Sequence, residues 1–574
     1  MSNDIPLTRV RPWHIANTTI RNPLRLQGGL EALIAGGFER NMGKEREEDI
    51  ALALDDAGVI HLAKGTADIT SIARKWRSVL VKLGFLWPDL DTRPKINGVT
   101  SEEIGAPFSL TPNGQRLLTA KSPEAAQEVL LRSLAALRLP SPLEPRYSFA
   151  DFSPLKHVIR ILDQIAQFGE EAYISRLEMA SIVVLTNGED LPEEIARQIV
   201  DQRNRRAKTT GKRRFDSDAI RMIAGSYGLK HGTLYDYQDV SFRYLRGTGV
   251  FQSRGRGITL VPEKRKIAAL LAESPNEPLT PGEYLNHIAS GAVLPTDTQE
   301  GASEALADLL SVAAEWSVEF DSSRHDLDSP EGISLARHDL EDEIFQAKEV
   351  HYANQQADQM DEILAYLKML DENKPTLDFG DEQLAIPKEE RPAYFEWLLW
   401  RVLLALGKLT VPAREVRRFK VDQDFLPVST ASGGGADVIG EYEDSVLVVE
   451  VTLTENSRQE AAEGEPVRRH VADVLEHTPA GKHVYGLFLA RRIDTNTAET
   501  FRIGVWYTKN DERVALNVVP LTLGQLRSVL NRGHRAGTLD PSLLIDVVVD
   551  VSEKRPLVYG APEWKQTITD IIGV

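Results

Sequence analysis

The strongest constraint on the fold is an aliphatic run that contains a single carboxylate. Residues 445–453 read SVLVVEVTL, which is the composition of a buried β-strand. Residues 436–442 form a second extended segment, and a short acidic connection between the two segments predicts a tight hairpin. Glu450 interrupts the apolar run, and Asp437 lies at the start of the preceding segment. The two acids are either solvated strand-end residues or a pair of carboxylates held in place for chemistry.

From residue 391 onward, helical and extended patterns alternate. Residues 392–409 read as a strongly apolar helix, and a further helix is expected at residues 466–477. Additional strands are expected near residues 417–422 and 483–490. Helices and strands mixed in this order predict a compact α/β domain over residues 391–574.

Charge is segregated along the chain, whose formal net charge is −18. Residues 268–390 hold 28 acidic and 6 basic residues, whereas residues 197–267 hold 17 basic and 6 acidic residues. Phosphate binding is driven by lysine and arginine, so the net charge alone argues against a nucleic-acid partner. The distribution of charge, however, allows a nucleic-acid partner, because the chain contains a basic module that an acidic one joins to the rest.

The composition excludes several classes of site. The chain has 0 cysteines, which rules out disulfides, thiolate zinc sites and thiol nucleophiles and leaves carboxylates and 12 histidines as metal ligands. No long uncharged apolar run and no secretory leader pattern are present, so we expect a cytoplasmic protein without a membrane partner. A length of 574 residues predicts several domains.

The pattern predicts a multidomain protein with four parts. Residues 1–145 and 146–271 are each expected to form an α-rich, winged-helix-like recognition subdomain, the second of them basic. The second ends in a predicted hairpin within residues 247–261, with arginines at its tip. Residues 272–390 are expected to form an acidic helical linker, and residues 391–574 the α/β domain.

The predicted hairpin offers a metal site. In an antiparallel pairing, Asp437 and Glu450 would meet at one end of the sheet. Two carboxylates at that distance repel each other unless a cation lies between them, and Mg²⁺ prefers oxygen ligands. An ion bound there would polarise a phosphodiester and lower the pKa of an attacking water.

Other acids and a histidine accompany this pair in the sequence. Glu396 is the acid within an otherwise apolar helical segment, where a solvated face would carry several. Glu463, Glu465 and His470 cluster where residues EGEPVRRH are expected to open a helix, with Pro466 at its first position. The alternative interpretations are an N-terminal helix acid for Glu465 and an ordinary helix-face residue for His470.

Several segments, taken in order and spacing, resemble a known nuclease family. The segments YFEWLLWRVLLALG, ADVIGEYEDSVLVVEVT and EGEPVRRH look like the cleavage domain of the AlwI-type Type IIS restriction endonucleases. That group lies within the PD-(D/E)XK nuclease superfamily and includes strand-nicking relatives. The segments WHIANTTIRNPLRL, ARKWRSVLVKLGF and YDYQDVSFRYLRGTGVF are similar to its recognition region.

The resemblance implies a set of site residues. Asp437 and Glu450 would hold the metal, with the backbone carbonyl of Val451 as a further ligand. Glu396, Glu463 and His470 would complete the catalytic site, although Glu463 and Glu465 both match acids of that motif. The implied cofactor is Mg²⁺, and Mn²⁺ is expected to be able to replace it.

Two positions depart from the superfamily pattern. Ala436 stands where proline is usual, which should change only the local backbone. Thr452 stands where lysine is common, and residues 421–481 contain no lysine. The AlwI-type group tolerates threonine at this position. The metal itself would then activate the water, with His470 or a carboxylate taking the proton.

The candidate DNA contacts lie in the basic module and near the N terminus, and most are expected to reach phosphates rather than bases. The densest basic run holds Arg203, Arg205, Arg206, Lys208, Lys212, Arg213 and Arg214. The other candidates are Asn17, Arg21, Asn22, Arg74, Lys75, Arg77, Arg254 and Arg256. The alternatives are a solvated helix end for the basic run and a capped turn for the N-terminal asparagines.

These features predict a Mg²⁺-dependent endodeoxyribonuclease of restriction type that recognises a short asymmetric duplex sequence and cuts at a distance. The implied partners are double-stranded DNA and either a second nuclease subunit or a transient homodimer of cleavage domains. One alternative is a strand-specific nicking subunit that requires a partner. Another is a sequence-specific DNA-binding protein with a degenerate nuclease domain, which the threonine in place of lysine favours.

Overall fold

The chain folds into two compact units, residues 1–343 and 344–574. The computed structural model describes residues 12–60, 62, 68–90, 99–144, 151–255, 257–380, 382–387, 390–431, 434–455, 457–507 and 511–573. The finer division into four domains stays a prediction. Among the described residues, no helix combines the length and apolar character that crossing a membrane requires.

The first unit is built mainly from helices packed around one hydrophobic core. Its helices are α1 (Leu26–Ala35), α2 (Glu47–Asp56), α3 (Thr70–Lys82), α4 (Ser101–Ile104), α5 (Pro112–Thr119), α6 (Pro123–Ala136), α7 (Pro154–Gln167), α8 (Arg176–Ser181), α9 (Pro192–Ala207), α10 (Lys212–Ser226), α11 (His231–Gly247), α12 (Arg265–Glu273), α13 (Pro281–Ser290) and α14 (Gln299–Glu315). Helix α15 (Pro330–Asn354) begins in this unit and ends in the second.

A small antiparallel sheet lies in the first unit. Its strands are β1 (Ile174–Ser175), β2 (Phe251–Arg254) and β3 (Gly257–Leu260), in the order β1-β3-β2. Strands β2 and β3 follow α11 directly and form the hairpin that the sequence predicts. Ile174, Phe251 and Ile258 are buried and anchor the sheet in the core, so the basic tip of the hairpin is attached to a fixed base.

The acidic segment contributes core residues to each unit. Helices α13 and α14 bury Leu285, Ile288 and Ala305 in the core of the first unit. Helix α16 (Met360–Asp371) buries Ile363 and Leu367 in the core of the second. The periodic apolar residues of the segment therefore pack inside, although its acids dominate the composition.

The second unit is an α/β structure, as the sequence predicts for its C-terminal part. Its further elements are β4 (Thr376–Phe379), β5 (Glu382–Ala385), α17 (Arg391–Leu406), α18 (Ala413–Val416), β6 (Val438–Glu441), β7 (Ser445–Thr452), α19 (Arg458–His477), β8 (His483–Ala490), α20 (Thr495–Ile503), β9 (Val505–Tyr507), β10 (Arg513–Ala515), β11 (Val518–Thr522), α21 (Leu523–Ala536), α22 (Ser542–Lys554) and α23 (Ala561–Ile572).

A four-stranded mixed sheet forms the centre of this unit. Its order is β11-β8-β7-β6, with β6 antiparallel to β7 and the other two pairings parallel. A Cβ atom on Gly440 would lie 3.1 Å from Leu403 of α17, whereas one on Gly486 would lie 3.0 Å from Val471 of α19. The register places these two glycines on opposite faces, so α17 covers one face and α19 the other. Burial on both faces explains the nearly continuous aliphatic sequence of β7.

Two local predictions in this unit are wrong. Residues 417–422 form only isolated bridges, Arg417 with Val438 and Val421 with Pro427, and no strand. Helix α19 begins at Arg458, so Pro466 lies inside the helix rather than at its first position. Proline lacks the N–H that the preceding turn would use, a loss of about 3 kcal/mol in a helix interior. The buried face of α19 overrides that local cost.

Candidate active site

The hairpin of β6 and β7 brings two carboxylates to one end of the sheet. Val438 pairs with Val449, so Asp437 stands opposite Glu450. Asp437 Oδ2 accepts a hydrogen bond of 2.9 Å from the backbone N–H of Val451. The side chain of Glu450 projects to the face that α19 covers, and only 7% of the residue is exposed. The antiparallel geometry expected from the sequence is therefore present.

Burial and mutual repulsion perturb three carboxyl groups at this end of the sheet. Burial, followed by the charge of Glu450, raises the pKa of Asp437 to about 7. Burial and then the charge of Asp437 raise the pKa of Glu396 to about 9. Burial also raises the pKa of Glu450, although a hydrogen bond with His470 opposes the shift. The three groups cannot all be ionised near neutral pH unless a cation compensates them.

Glu396 reaches this group from the first turns of α17. It is buried, and its Oε2 accepts a 2.6 Å hydrogen bond from the backbone N–H of Ala431. The segment that leads to Asp437 is thereby tied to the helix. The charges of Asp437 and Glu450 raise the pKa of Glu396, so the helix acid and the hairpin acids belong to one cluster.

Helix α19 contributes Glu463 and His470 but turns Glu465 away. Glu463 is half-buried, and its charge raises the pKa of both hairpin acids. Glu465 is exposed and pairs with Arg469, one turn further along, at 3.2 Å. Glu463 and His470 are two helical turns apart and share one face, whereas Glu465 does not. The geometry therefore favours Glu463 over Glu465 as the site residue.

His470 completes the cluster. Its Nδ1 lies 2.6 Å from Glu450 Oε1, a distance at which the ring N–H donates to the carboxylate. With the proton on Nδ1, the other ring nitrogen carries a lone pair. Nε2 is buried and has no hydrogen-bond partner within the described part of the chain. In that tautomer it is the acceptor nitrogen of the ring.

The donor set fits a hard divalent cation. Within the described residues, no three His, Asp or Glu side chains are already arranged to hold a metal ion. Mg²⁺, however, is usually bound through one or two carboxylates and keeps several waters. Asp437, Glu450 and the carbonyl of Val451 match that pattern, and burial raises the pKa of both carboxyl groups, so a bound cation would favour their ionised forms.

Thr452 adds no positive charge, but Arg418, which the sequence analysis missed, does. Thr452 is buried, and its hydroxyl accepts from the N–H of Thr454 at 3.2 Å. The charge of Arg418 lowers the pKa of Glu450. The sequence signal was the basic segment RRFK at residues 417–420, directly upstream of the hairpin. The acidic cluster thus has a positively charged neighbour, Arg418, outside the segments that resemble the AlwI-type cleavage domain.

The N-terminal candidates for DNA contact take part in local structure. Asn17 and Asn22 accept hydrogen bonds from the N–H groups of Thr19 and Leu24, which is the capped-turn arrangement. Arg21 pairs with two aspartates of α11, at 2.8 and 3.1 Å. The two asparagine caps are the alternative that the sequence offered, whereas the partners of Arg21 lie far away in sequence.

The candidates on α3 are also engaged within the protein. Arg74 and Arg77 both pair with the buried Glu47, at 2.9 and 3.1 Å. Their pairing compensates a carboxylate that would otherwise be buried alone. Lys75, between them in sequence, is half-buried and makes no ion pair within the described residues.

The basic module contains buried or half-buried residues with partners and exposed residues, one of which, Arg214, pairs with Asp218 at 3.5 Å. Arg203 pairs with the buried Glu178 at 2.9 Å and lies over the ring of Tyr173, and Arg206 pairs with Asp216 at 2.7 Å. Arg254, at the hairpin tip, pairs with Glu171 at 2.5 Å, and Arg256 lies outside the described residues. The exposed residues of the run are Arg205, Lys208, Lys212, Arg213 and Arg214. Their role in DNA binding stays a prediction.

A comparison with protein families decides the relationship of the chain. A family model described as AlwI restriction endonuclease matches residues 81–529, well over half of the chain. The chain belongs to the AlwI restriction endonuclease family. Restriction endonucleases are DNA-cleaving hydrolases, and the matched residues include the whole candidate active site. The candidates between Asn17 and Arg77 lie outside the match.

A solved structure from another restriction enzyme is similar to part of this AlwI family member. It is the small subunit (R.BspD6I2) of the heterodimeric restriction endonuclease R.BspD6I, with 27% identity and a TM-score of 0.28. The similarity covers 36% of this chain and 97% of that subunit. No curated protein matches the chain.

Proposed function

We propose that this protein is a Mg²⁺-dependent, site-specific endodeoxyribonuclease of Type IIS character with a PD-(D/E)XK-type cleavage domain. It would recognise a short asymmetric duplex sequence and hydrolyse phosphodiester bonds at a distance from it. The supporting observation is the juxtaposition of Asp437 and Glu450 at the sheet end, where burial raises both carboxyl pKa values and the charge of Glu450 further raises that of Asp437.

In this mechanism each residue has a defined role. Asp437, oriented by the N–H of Val451, and Glu450, oriented by His470, would hold the ion together with the Val451 carbonyl. Bound Mg²⁺, or Mn²⁺ in its place, would supply the Lewis acidity that polarises a phosphodiester and acidifies a water.

The proton acceptor must come from the cluster itself, because residues 421–481 contain no lysine. His470 Nε2 is buried and unpartnered within the described residues, which makes it the first choice. Glu463 adds negative charge beside the pair, which strengthens the attraction for a cation, whereas Glu396, with a pKa of about 9, would ionise near neutral pH only with a cation bound.

DNA would be bound by the first unit. The β2–β3 hairpin follows α11 in the manner of a wing, and the exposed residues from Arg205 to Arg214 offer a basic surface to phosphates. Cutting both strands would require a second nuclease subunit or a transient homodimer of cleavage domains.

The test compares Asp437→Asn with Asp444→Asn, a matched change at an exposed acid of the hairpin turn. A panel of plasmids of known sequence is incubated with Mg²⁺ or EDTA, and the cut ends are sequenced. We expect the unaltered protein and Asp444→Asn to cut at a fixed offset from one sequence. Asp437→Asn should lose at least roughly 10³-fold in rate, because metal stabilisation of the transition state is worth several kcal/mol.

Other outcomes select the alternatives. A nicked circular product would indicate a strand-specific subunit that needs a partner. If the unaltered protein and Asp437→Asn both bind DNA but neither cuts any plasmid, the chain is a DNA-binding protein with a degenerate nuclease domain. The threonine at position 452 is the observation that favours this second candidate.

A further inference from the structure

Arg418 lies in the same row of the sheet as the two hairpin acids. Arg417 forms an antiparallel bridge with Val438, and Val438 pairs with Val449 on its other side. One residue further, the same register would align Arg418 with Asp437 and Asp437 with Glu450. The bridge of Arg417 thus brings Arg418 to the end of the sheet that holds the two acids, and its charge lowers the pKa of Glu450.

One nitrogen of the Arg418 guanidinium is unsatisfied among the residues that the structure describes. Its Nη1 is buried and forms no hydrogen bond within the described part of the chain. A buried N–H without a partner destabilises the folded protein, and such groups are rare. Two other arginines of this unit are satisfied: Arg401 binds Gln356, Gln359 and Glu362, and Arg417 binds Glu349.

The position of this guanidinium is set by a glycine. A Cβ atom on Gly435 would collide with Arg418 Nη1 and lie 2.8 Å from its Cζ. The arginine therefore lies against the backbone just upstream of Asp437. Its charge acts on Glu450, yet it forms no ion pair with either hairpin acid among the described contacts. It is close enough to influence the site and still has donors to offer a ligand.

We propose that Arg418 binds the phosphate that is cleaved, donating from its guanidinium to a non-bridging phosphate oxygen. This inference rests on the proposed nuclease function. The planar fork of an arginine matches a phosphate group, and its charge is permanent. A phosphodiester that approaches several carboxylates needs such a counter-charge, and its negative charge grows in the transition state. Arg418 would supply the positive charge that Thr452 does not.

Four variants test the proposal: Arg418→Ala, Arg418→Lys, Gly435→Ala and the double variant Gly435→Ala/Arg418→Ala. The alanine at position 435 is expected to displace the guanidinium rather than the backbone, because the clash involves the end of a flexible side chain. Gly435 also lies outside the set of residues with positive φ. Arg414→Ala, an exposed arginine four residues away, is the matched control.

Two measurements are made on each full-length variant, with circular dichroism to verify folding. The first is the single-turnover cleavage rate with Mg²⁺ on a plasmid that the unaltered protein cuts. The second is the affinity for duplex DNA in Ca²⁺ as a function of salt, which requires no cleavage.

The proposal predicts a consistent pattern. Arg418→Ala should slow cleavage by about 10²–10³-fold, the usual effect of removing one preorganised donor to a transition-state oxyanion. Its plot of log affinity against log salt should be shallower by about 0.9, the value of one lost phosphate contact. Arg418→Lys should recover part of the rate. Gly435→Ala should slow the unaltered protein but add nothing to Arg418→Ala, and Arg414→Ala should match the unaltered protein.

Contrary results are separable. If Arg418→Ala cuts at the normal rate, the proposal fails and the nuclease function stands. If it cuts slowly with an unchanged salt slope, or if the effects of Gly435→Ala and Arg418→Ala are additive, Arg418 acts through the acids and the phosphate contact is refuted. If the unaltered protein cuts no DNA but the slope still falls in Arg418→Ala, the nuclease proposal fails while the phosphate contact survives.

Discussion

The ionised forms of two carboxyl groups in the candidate active site destabilise the folded protein. Asp437 and Glu396 have pKa values of about 7 and about 9, above the value of about 4 that carboxyl groups have in unfolded chains. A raised folded-state pKa stabilises the protein below the unfolded value, and that stabilisation is lost as the pH rises through the folded value. The metal-free protein should therefore lose stability between about pH 4 and pH 9 at these positions.

This pH dependence can be measured by thermal unfolding in EDTA. Between pH 5 and pH 8, the Tm of Asp437→Asn should fall less than that of the unaltered protein, because asparagine cannot ionise. Asp444→Asn should follow the unaltered protein. Added Mg²⁺ should raise the Tm more at pH 8 than at pH 5, since it binds the ionised carboxylates. Equal pH slopes for the unaltered protein and Asp437→Asn would refute the assignment of the raised pKa.

At the scale of elements, α19 decides which acid serves the site. Its rotation directs Glu463 and His470 to the sheet end and leaves Glu465 in solvent. The exposed pair of Glu465 with Arg469 is worth only about 0.3–0.5 kcal/mol. The two glutamates are therefore two positions apart in sequence but lie in different surroundings.

The matched substitutions Glu463→Gln and Glu465→Gln test this rotation. Glu463→Gln should reduce Mg²⁺-dependent cleavage by about 10–100-fold, the usual effect of removing a group that supports a metal site. Glu465→Gln should stay within about twofold of the unaltered protein and keep its Tm. If Glu465→Gln slowed cleavage more than Glu463→Gln, the assignment of Glu463 to the sheet end would be wrong.

At the scale of the whole molecule, the nuclease elements share one hydrophobic core with the end of α15. Phe345 and Tyr352 pack against that core, and Tyr352 stacks on Trp400 of α17. Arg417 pairs with Glu349 of the same helix at 2.8 Å. The compact unit that contains the candidate active site begins after residue 343.

Residues 344–574, expressed alone, should accordingly unfold in one cooperative thermal transition. We expect this fragment to cut DNA slowly with Mg²⁺ and without a preferred sequence, and its Asp437→Asn form not to cut. A fragment that begins at residue 391 is the comparison, and it should be less stable because it lacks these contacts. Site-specific cutting by the 344–574 fragment would refute the assignment of recognition to the first unit.

The sequence predicted the parts of this molecule that depend on nearby residues. The hairpin and its opposed acids follow from alternating pattern and a short connection, so Asp437 and Glu450 were placed correctly relative to each other. Partners distant in sequence could not be foreseen: Arg21 pairs with Asp236, and Arg74 and Arg77 with Glu47. Arg418 was missed for the same reason, since only its bridge across to β6 brings it to the site.

The absence of lysine around the hairpin also has a practical consequence for handling the protein. Residues 421–481, which span the hairpin and all of α19, contain no lysine. Reagents that acylate amines therefore find no target side chain on either element. A preparation coupled to a solid support through its lysines should be attached elsewhere on its surface, with the acids of the hairpin left unmodified.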